Sequence, residues 1–313
     1  MKPSLTSVFA LLIILFSLPA QAWFDFRERK AYAETKYPIV LAHGMFGFDE
    51  ILGLNYWYRI PETLQANGAD VFVTAVSNSN TPEVRGEQLI PQIEQVLAIT
   101  GAEKVNIIAH SHGGPTSRYV ASVRPDLVAS ITTISGVNDG TPVANTLDQW
   151  MEDYDSVHWV IDNLGNALSQ VVDILSGGGF EQDLVASIHS MTYAEAAAFN
   201  AKHPDGLPQN ACAEGPYEVN GIRYFSWAGA RVITNTSDPF DLISGAGSLF
   251  FERTTNDGLV SPCSSHLGMV IRNDYLMNHF DEVNQFMGMH GILDTDPLTL
   301  FRVHANRLQR EGL

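Results

Sequence analysis

The sequence predicts a doubly wound α/β sheet with right-handed crossovers, and three observations carry that expectation. Four short apolar runs, at residues 37–42, 71–76, 105–109 and 131–135, have the length and β-branched content of buried parallel strands. Helical patterns alternate with them. Leu89, Ile93, Val96 and Leu97 recur at helical spacing within 83–100, and residues 115–123 continue directly from the third run. At that junction a serine sits on a strand-to-helix turn, in the string NIIAHSHGGP at 106–115.

Residues 1–22 read as a secretory signal peptide. Lys2 is followed by an apolar run at 8–18 and by Pro19-Ala20-Gln21-Ala22, a small-x-small exit. The run is shorter than the roughly 20 residues needed to span a bilayer, so cleavage after Ala22 is expected rather than a membrane anchor. The remainder, 23–313, has no internal repeat and no low-complexity linker, and is expected to form one domain.

The first apolar run ends at His43-Gly44-Met45-Phe46-Gly47. In a fold of this kind the loop after an early strand supplies an oxyanion donor, and the Met45 N–H is the candidate. The third run ends at Ser111. A serine on so sharp a turn adopts a strained backbone, and its neighbours two before and two after must be small; Ala109 and Gly113 meet that demand. The turn exposes the hydroxyl, and the helix behind it directs its positive end at a developing oxyanion. The second donor is the N–H after the nucleophile, that of His112. His110 and His112 flank the serine at i, i+2, are expected to point apart, and lack a third ligand nearby, so they do not read as a metal site.

Residues 147–175 contain no strand. Ile161, Leu164, Leu168, Val171, Val172 and Leu175 form one apolar stripe, which then meets Ser176-Gly177-Gly178-Gly179, a glycine run with hinge freedom. A serine needs a histidine base, and the base needs a carboxylate that fixes its tautomer. In chain order these follow the serine. The turn-rich strings NDGLV at 256–260 and MNHFD at 277–281 offer Asp257 and His279. Asp238 and Asp241 are rival acids. His266, His290 and His304 are rival bases, His304 being expected to be solvated in a terminal helix rich in Arg and Gln.

Charge and cysteines bound the function. Lys and Arg total 18 against 35 Asp and Glu, a net charge of −17 that becomes −18 once Lys2 leaves with the signal. Nucleic acid, which calls for a basic surface, is excluded as a partner. A 45% hydrophobic composition excludes global disorder. Two cysteines cannot build a disulfide scaffold or a cysteine-only zinc site. In an exported protein Cys212 and Cys263 can pair; otherwise they are two separate buried thiols.

The chain resembles the foldase-dependent bacterial triacylglycerol lipases of the α/β-hydrolase superfamily over nearly its whole mature length. The matching strings are YPIVLAHGMFG at 37–47, EVRGEQ at 83–88, VNIIAHSHGGPT at 105–116 and RYVASVRPDL at 118–127. NDGLV at 256–260, CSSHLGMVI at 263–271 and NHFDEVNQ at 278–285 continue them. Ala109, where the pattern usually has glycine, is the one motif position that departs. The resemblance implies an α/β-hydrolase fold with a mostly parallel central sheet and a helical lid inserted at about 145–180. It also implies a Ser111–Asp257–His279 triad, Met45 and His112 as backbone oxyanion donors, and a Cys212–Cys263 disulfide. One structural calcium ion would be held by Asp238, Asp281 and the backbone carbonyls of Gln285 and Met289, with Asp241 as the fallback ligand. Read without the resemblance, Asp238 is a turn residue and Asp281 a helix N-cap.

The function these features lead to expect is hydrolysis of long-chain acylglycerol esters through an acyl-enzyme, with the lid opening at a lipid surface. A short-chain carboxylesterase or phospholipase is the alternative on the same fold; a catalytically silent binding module is the alternative of another class. The resemblance further implies a membrane-anchored foldase in the periplasm, and secretion machinery that delivers the enzyme outside the cell. No organic cofactor and no stable membrane insertion are expected.

Overall fold

A computed structural model describes residues 31–47, 50–51, 54–175, 178–210, 212–285, 287–291 and 295–313. The expected signal peptide lies outside the described residues. The central sheet has seven strands. The first four are β1 (Ile39–Ala42), β2 (Val71–Thr74), β3 (Val105–His110) and β4 (Val128–Ile134), on the four apolar runs. Three more follow: β5 (Glu218–Val219), β6 (Ile222–Gly229) and β7 (Met269–Tyr275). Their order is β2-β1-β3-β4-β6, with β5 and β7 sharing the far edge of β6; every pairing is parallel except β5 with β6.

β1, β3 and β4 are buried along their full length. That is the position of central strands covered by helices on both faces, and it explains why they read as unbroken apolar runs. Two apolar cores result. On one face Ile39, Leu41 and Ile108 pack with Trp57, Ile60 and Phe301. On the other Val40, Ile107 and Ile131 pack with Leu89, Ile93 and Val120.

The helices that position the site are α1 (Ile60–Ala66), α2 (Pro82–Thr100) and α3 (Gly113–Val123), which flank the first half of the sheet. α2 starts at Thr81, whose hydroxyl accepts the Val84 N–H, and stops at Gly101, whose left-handed φ of 71° ends the turn. The segment after β4 is α4 (Pro142–Asp153), α5 (Asp155–Trp159), a wide turn at Val160–Gly165 and α6 (Asn166–Leu175). Then come α7 (Leu184–Ser190), α8 (Tyr193–Lys202), α9 (Phe240–Ser248) and α10 (Pro297–Arg310).

Where one stripe was expected over 161–175, the backbone changes pitch at Val160–Gly165 before α6 begins. Ile161 packs on a third apolar cluster formed by Ala144, Met151, Leu184, Ile188, Met191 and Val260, and Val172 is half-buried. The side chains of Leu164, Leu168, Val171 and Leu175, and residues 176–177, lie outside the described residues. Cys212 and Cys263 form a disulfide.

His304 corrects an expectation. It is buried at 1% exposure, with Nε2 2.7 Å from Thr132 Oγ1, and its ring meets those of Phe225 and Trp227 edge-on. α10 turns Phe301, His304, Ala305 and Leu308 to the sheet and its long polar residues outward. His304 is therefore a core residue far from any role as base, and burial drives its pKa well down.

Candidate active site

Ser111 occupies the turn between β3 and α3 with φ of 54°, in the left-handed region that a serine holds only when its surroundings fix it. Three backbone bonds fix it. The Ser111 N–H donates to Ile134 O at 2.9 Å, and the Ser111 carbonyl accepts from Gly114 N–H at 2.9 Å and Val137 N–H at 3.2 Å. Gly113 is required by contact, since a Cβ there would stand 2.5 Å from the Ala42 carbonyl oxygen. Gly44 likewise lets the 43–47 loop approach Ser111, whose Cβ would lie 2.8 Å from a Cβ at that position.

Asp257 and His279 come together from separate loops of the C-terminal third. His279 Nδ1 lies 2.8 Å from Asp257 Oδ2, and the His279 N–H donates to the Asp257 carbonyl at 3.0 Å. The other carboxylate oxygen accepts the N–H groups of Leu259 at 2.9 Å and Val260 at 2.7 Å. Asp257 is fully buried. Burial alone would raise its pKa, but the imidazole beside it and these hydrogen bonds outweigh that and hold the carboxyl below its ordinary range. An ionised acid on Nδ1 fixes the tautomer that leaves Nε2 free to take a proton. His266 and His290 are not part of this pair: His266 Nδ1 binds the Ala213 carbonyl and His290 Nδ1 faces the Gly291 carbonyl.

His279 and Ser111 line one cavity of about 550 Å³, together with Met45 and His110. Its walls are mostly apolar, from Val143 and Leu147 on α4, Ile188 and Met191 near α7, Leu259 and Ile243. Such a space takes a hydrocarbon chain and a few directed polar contacts.

The 43–47 loop, expected to carry an oxyanion donor, is organised by Arg85 and His43, neither of which was expected to have a role of its own. Arg85, wholly buried on α2, donates from Nη2 to the His43 carbonyl at 2.7 Å and the Gly44 carbonyl at 3.1 Å. His43 Nε2 accepts the Val76 N–H at 3.2 Å, so its proton is on Nδ1, 2.8 Å from the Gly44 carbonyl. Burial, with the Arg85 charge added, lowers His43 to about 3, so its ring is neutral. The Gly44 carbonyl is thus pinned from two sides. Because a peptide is planar and trans, the Met45 N–H on its opposite edge is turned away from Arg85.

Arg85 Nη1 also donates to His112 Nδ1 at 2.8 Å, and Tyr56 bridges from the other flank. Its hydroxyl accepts the Gly44 N–H at 3.1 Å and lies 2.5 Å from His110 Nδ1. His110 and His112 therefore do point apart, to different partners. Among the described residues, neither the Met45 N–H nor the His112 N–H is donated to a protein acceptor.

A family model described as the alpha/beta hydrolase fold matches residues 37–283. A triacylglycerol lipase of Vibrio cholerae serotype O1 is 51% identical over 287 residues, 91% of this chain and 92% of that protein. The chain belongs to the α/β-hydrolase family, with the bacterial triacylglycerol lipases. A triacylglycerol lipase of Pseudomonas fragi is 38% identical, covering 89% of this chain and 98% of its own length. One from Burkholderia plantarii is 36% identical, over 90% of this chain and 88% of that protein. Among solved structures, the mature lipase BlEst2 of Bacillus licheniformis aligns with a TM-score of 0.59 at 17% identity. It covers 88% of this chain and 93% of that one, a likeness of fold alone.

Within this α/β-hydrolase a second polar centre lies beside the His279 loop. Asp281 Oδ1 and Asp238 Oδ2 are buried and, among the described residues, have no hydrogen-bond partner. Burial, with the Asp241 and Asp238 charges added, pushes the Asp281 carboxyl up to about 7, and burial raises Asp238 as well. Two orphaned carboxylate oxygens ask for a cation, and hard oxygen donors suit calcium. Asp241 is already engaged: it accepts the N–H groups of Thr234 and Asn235, each at 2.8 Å, and Asn278 Nδ2 at 2.6 Å. Asp238 is therefore the better-fitting partner of Asp281. Among the described residues no group of three or more His, Cys, Asp or Glu side chains converges, here or elsewhere, so any ion at Asp238 and Asp281 would depend on backbone carbonyls as well.

The lipase-family fold also buries Glu282 beside the Asp257–His279 pair. Its Oε1 accepts Ser135 Oγ at 2.8 Å and the Gly229 N–H at 2.6 Å. Burial, with the Asp257 charge added, drives its carboxyl well above the usual carboxylate range.

Proposed function

We propose that the protein is a secreted triacylglycerol lipase that cleaves long-chain acylglycerols through an acyl-enzyme. One observation supports this above the others: the buried Asp257–His279 pair opens onto the same apolar cavity as a strained Ser111. His279 takes the proton from the Ser111 hydroxyl as its oxygen attacks the ester carbonyl. The tetrahedral oxyanion is held by the Met45 and His112 N–H groups, and Asp257 stabilises the imidazolium. His279 then gives the proton to the departing glyceride oxygen. A water, deprotonated by the same ring, releases the fatty acid and regenerates Ser111.

α5 and α6, with the turn between them, serve as the lid. Trp159 and Val160 are exposed at 58% and 46%, on a segment that runs beside the cavity through α4. Such side chains contact lipid when the lid opens. Asp238 and Asp281, with the Gln285 and Met289 carbonyls, would hold one calcium ion, which would neutralise the buried carboxylates and brace the loop carrying His279. The signal peptide directs export. A membrane-anchored foldase assists folding in the periplasm before secretion to the medium.

The experiment is a rate series over acyl length, with and without an oil–water interface, run beside Ser111→Ala. Preference for long chains at an interface, abolished in the variant, supports the proposal. Activity confined to soluble short esters transfers it to the carboxylesterase alternative. Full refolding from denaturant without a helper argues against the foldase.

A further inference from the structure

Ser77, Asn78, Ser79 and Asn80 form a polar loop after β2 that is almost wholly buried. A loop of this chemistry is stable inside a protein only where partners satisfy it, and its partners lie on two sides. On one side is the oxyanion loop: the Asn78 carbonyl accepts the Phe46 N–H at 2.8 Å. On the other is the return of the chain from the cap. Ser77 Oγ donates to the Glu181 carbonyl at 2.8 Å, the Ser79 N–H to Gln182 Oε1 at 3.0 Å, and the Asp183 N–H to the Ser79 carbonyl at 2.6 Å.

Among the described residues, Asn78 is the member of this loop that reaches the lid helix itself. Its Nδ2 donates to the Ser169 carbonyl on α6 at 2.8 Å. Among the described residues, Asn78 Oδ1 and Ser169 Oγ are buried without partners, so this contact rests on a single hydrogen bond between residues that have other groups to satisfy. Phe46 follows Met45 and holds φ of 53°, a conformation that a phenylalanine keeps only when its neighbours hold it there. One residue therefore grips α6 with its side chain and the oxyanion loop with its backbone.

We propose that Asn78 is a positioning residue that couples the lid to the oxyanion hole, so that the place of α6 is felt at the Met45 N–H. The inference rests on α5–α6 being a lid. When α6 leaves, the buried amide of Asn78 loses the Ser169 carbonyl and turns to another acceptor. Loop 77–80 shifts with it, and the Phe46 peptide, held by the Asn78 carbonyl, follows.

The test compares Asn78→Ala and the isosteric Asn78→Asp, which cannot donate to Ser169, with Ser77→Ala, which loses cap contacts without touching α6. For each, kcat and KM are measured on a soluble p-nitrophenyl ester. The ratio of tributyrin rates above and below its solubility limit is measured alongside. Both Asn78 variants should lower kcat about tenfold with KM nearly unchanged, and should shrink the interfacial ratio; Ser77→Ala should alter neither. Should Asn78→Ala fail to fold, Asn78→Asp carries the same comparison. Unchanged kcat and ratio in the Asn78 variants, or equal changes in Ser77→Ala, overturn the coupling and leave the lipase assignment standing. A wild-type enzyme with no interfacial enhancement removes the lid, and the coupling with it.

Discussion

Arg85 Nη1 lies 2.8 Å from Nδ1 of His112, the residue that follows Ser111 in the chain. Through its second nitrogen the same guanidinium holds the His43 and Gly44 carbonyls, so one side chain ties the Ser111 turn to the 43–47 loop, the proposed nucleophile turn and oxyanion loop. Burial lowers Arg85 only to about 10, so it stays charged at neutral pH. Its five donors form a planar fork that a lysine does not reproduce. Arg85→Met should lower kcat on a soluble ester about 100-fold, the range seen when one oxyanion donor is lost, and Arg85→Lys should recover little of it. Steady-state kinetics decide this; a kcat within twofold of wild type contradicts the tie.

Asp257→Asn preserves shape but presents an amide to His279 Nδ1, favouring the tautomer that cannot take the Ser111 proton. The expected loss in kcat is about 10⁴-fold with KM little changed. A loss below tenfold would mean that another group orients His279, with the buried Glu282 the first to examine by Glu282→Gln.

The calcium proposal has a pH signature. With no cation bound, the folded Asp281 keeps its proton up to about 7, whereas the unfolded chain releases it in the ordinary carboxylate range. Between those values the folded state binds more protons, so this group's contribution to stability falls as pH rises. A bound cation replaces the proton. The rise in Tm on adding calcium should therefore grow from about pH 4 to about pH 7 and then level off. Calorimetry with calcium and with chelator measures it. A Tm indifferent to chelation at pH 8 contradicts the site.

The Cys212–Cys263 bridge spans 51 positions of the chain. Cross-linking a loop of that size limits the unfolded state, and its removal should cost about 4 kcal/mol. Denaturant titration of wild type and Cys212→Ser/Cys263→Ser, each fitted with its own m-value, gives the figure. A cost below about 1 kcal/mol would show that the loop is ordered without the bridge.

Much of this architecture was legible because burial on both faces makes a strand uniformly apolar. β1 to β4 and the turn at Ser111 announce themselves that way. β7 does not, since an edge strand carrying Arg272, Asn273 and Asp274 has no such run. β6 joins Tyr, Phe, Ser and Trp without alternation or an apolar block. Arg85 and His304 share a different cause. Arg85 stands four residues before Leu89, on the inward stripe of α2, and His304 lies between Phe301 and Leu308 on that of α10. A charged or titratable residue on an apolar stripe was the available signal, and type alone hid it. Tyr56, twelve residues from Gly44 and fifty-four from His110, makes contacts that only the fold brings together.

The central claim is that Ser111, with His279 and Asp257, cleaves long-chain glycerol esters from within the apolar cavity. The most direct measurement is fatty-acid release from emulsified triolein by wild type and Ser111→Ala, alongside labelling by a serine-directed phosphonate. The account predicts turnover in the wild type, a fall in the variant to a residue some 10³–10⁴-fold above water, and one label located on Ser111. Undiminished triolein hydrolysis by Ser111→Ala, or a label on another residue, would contradict it.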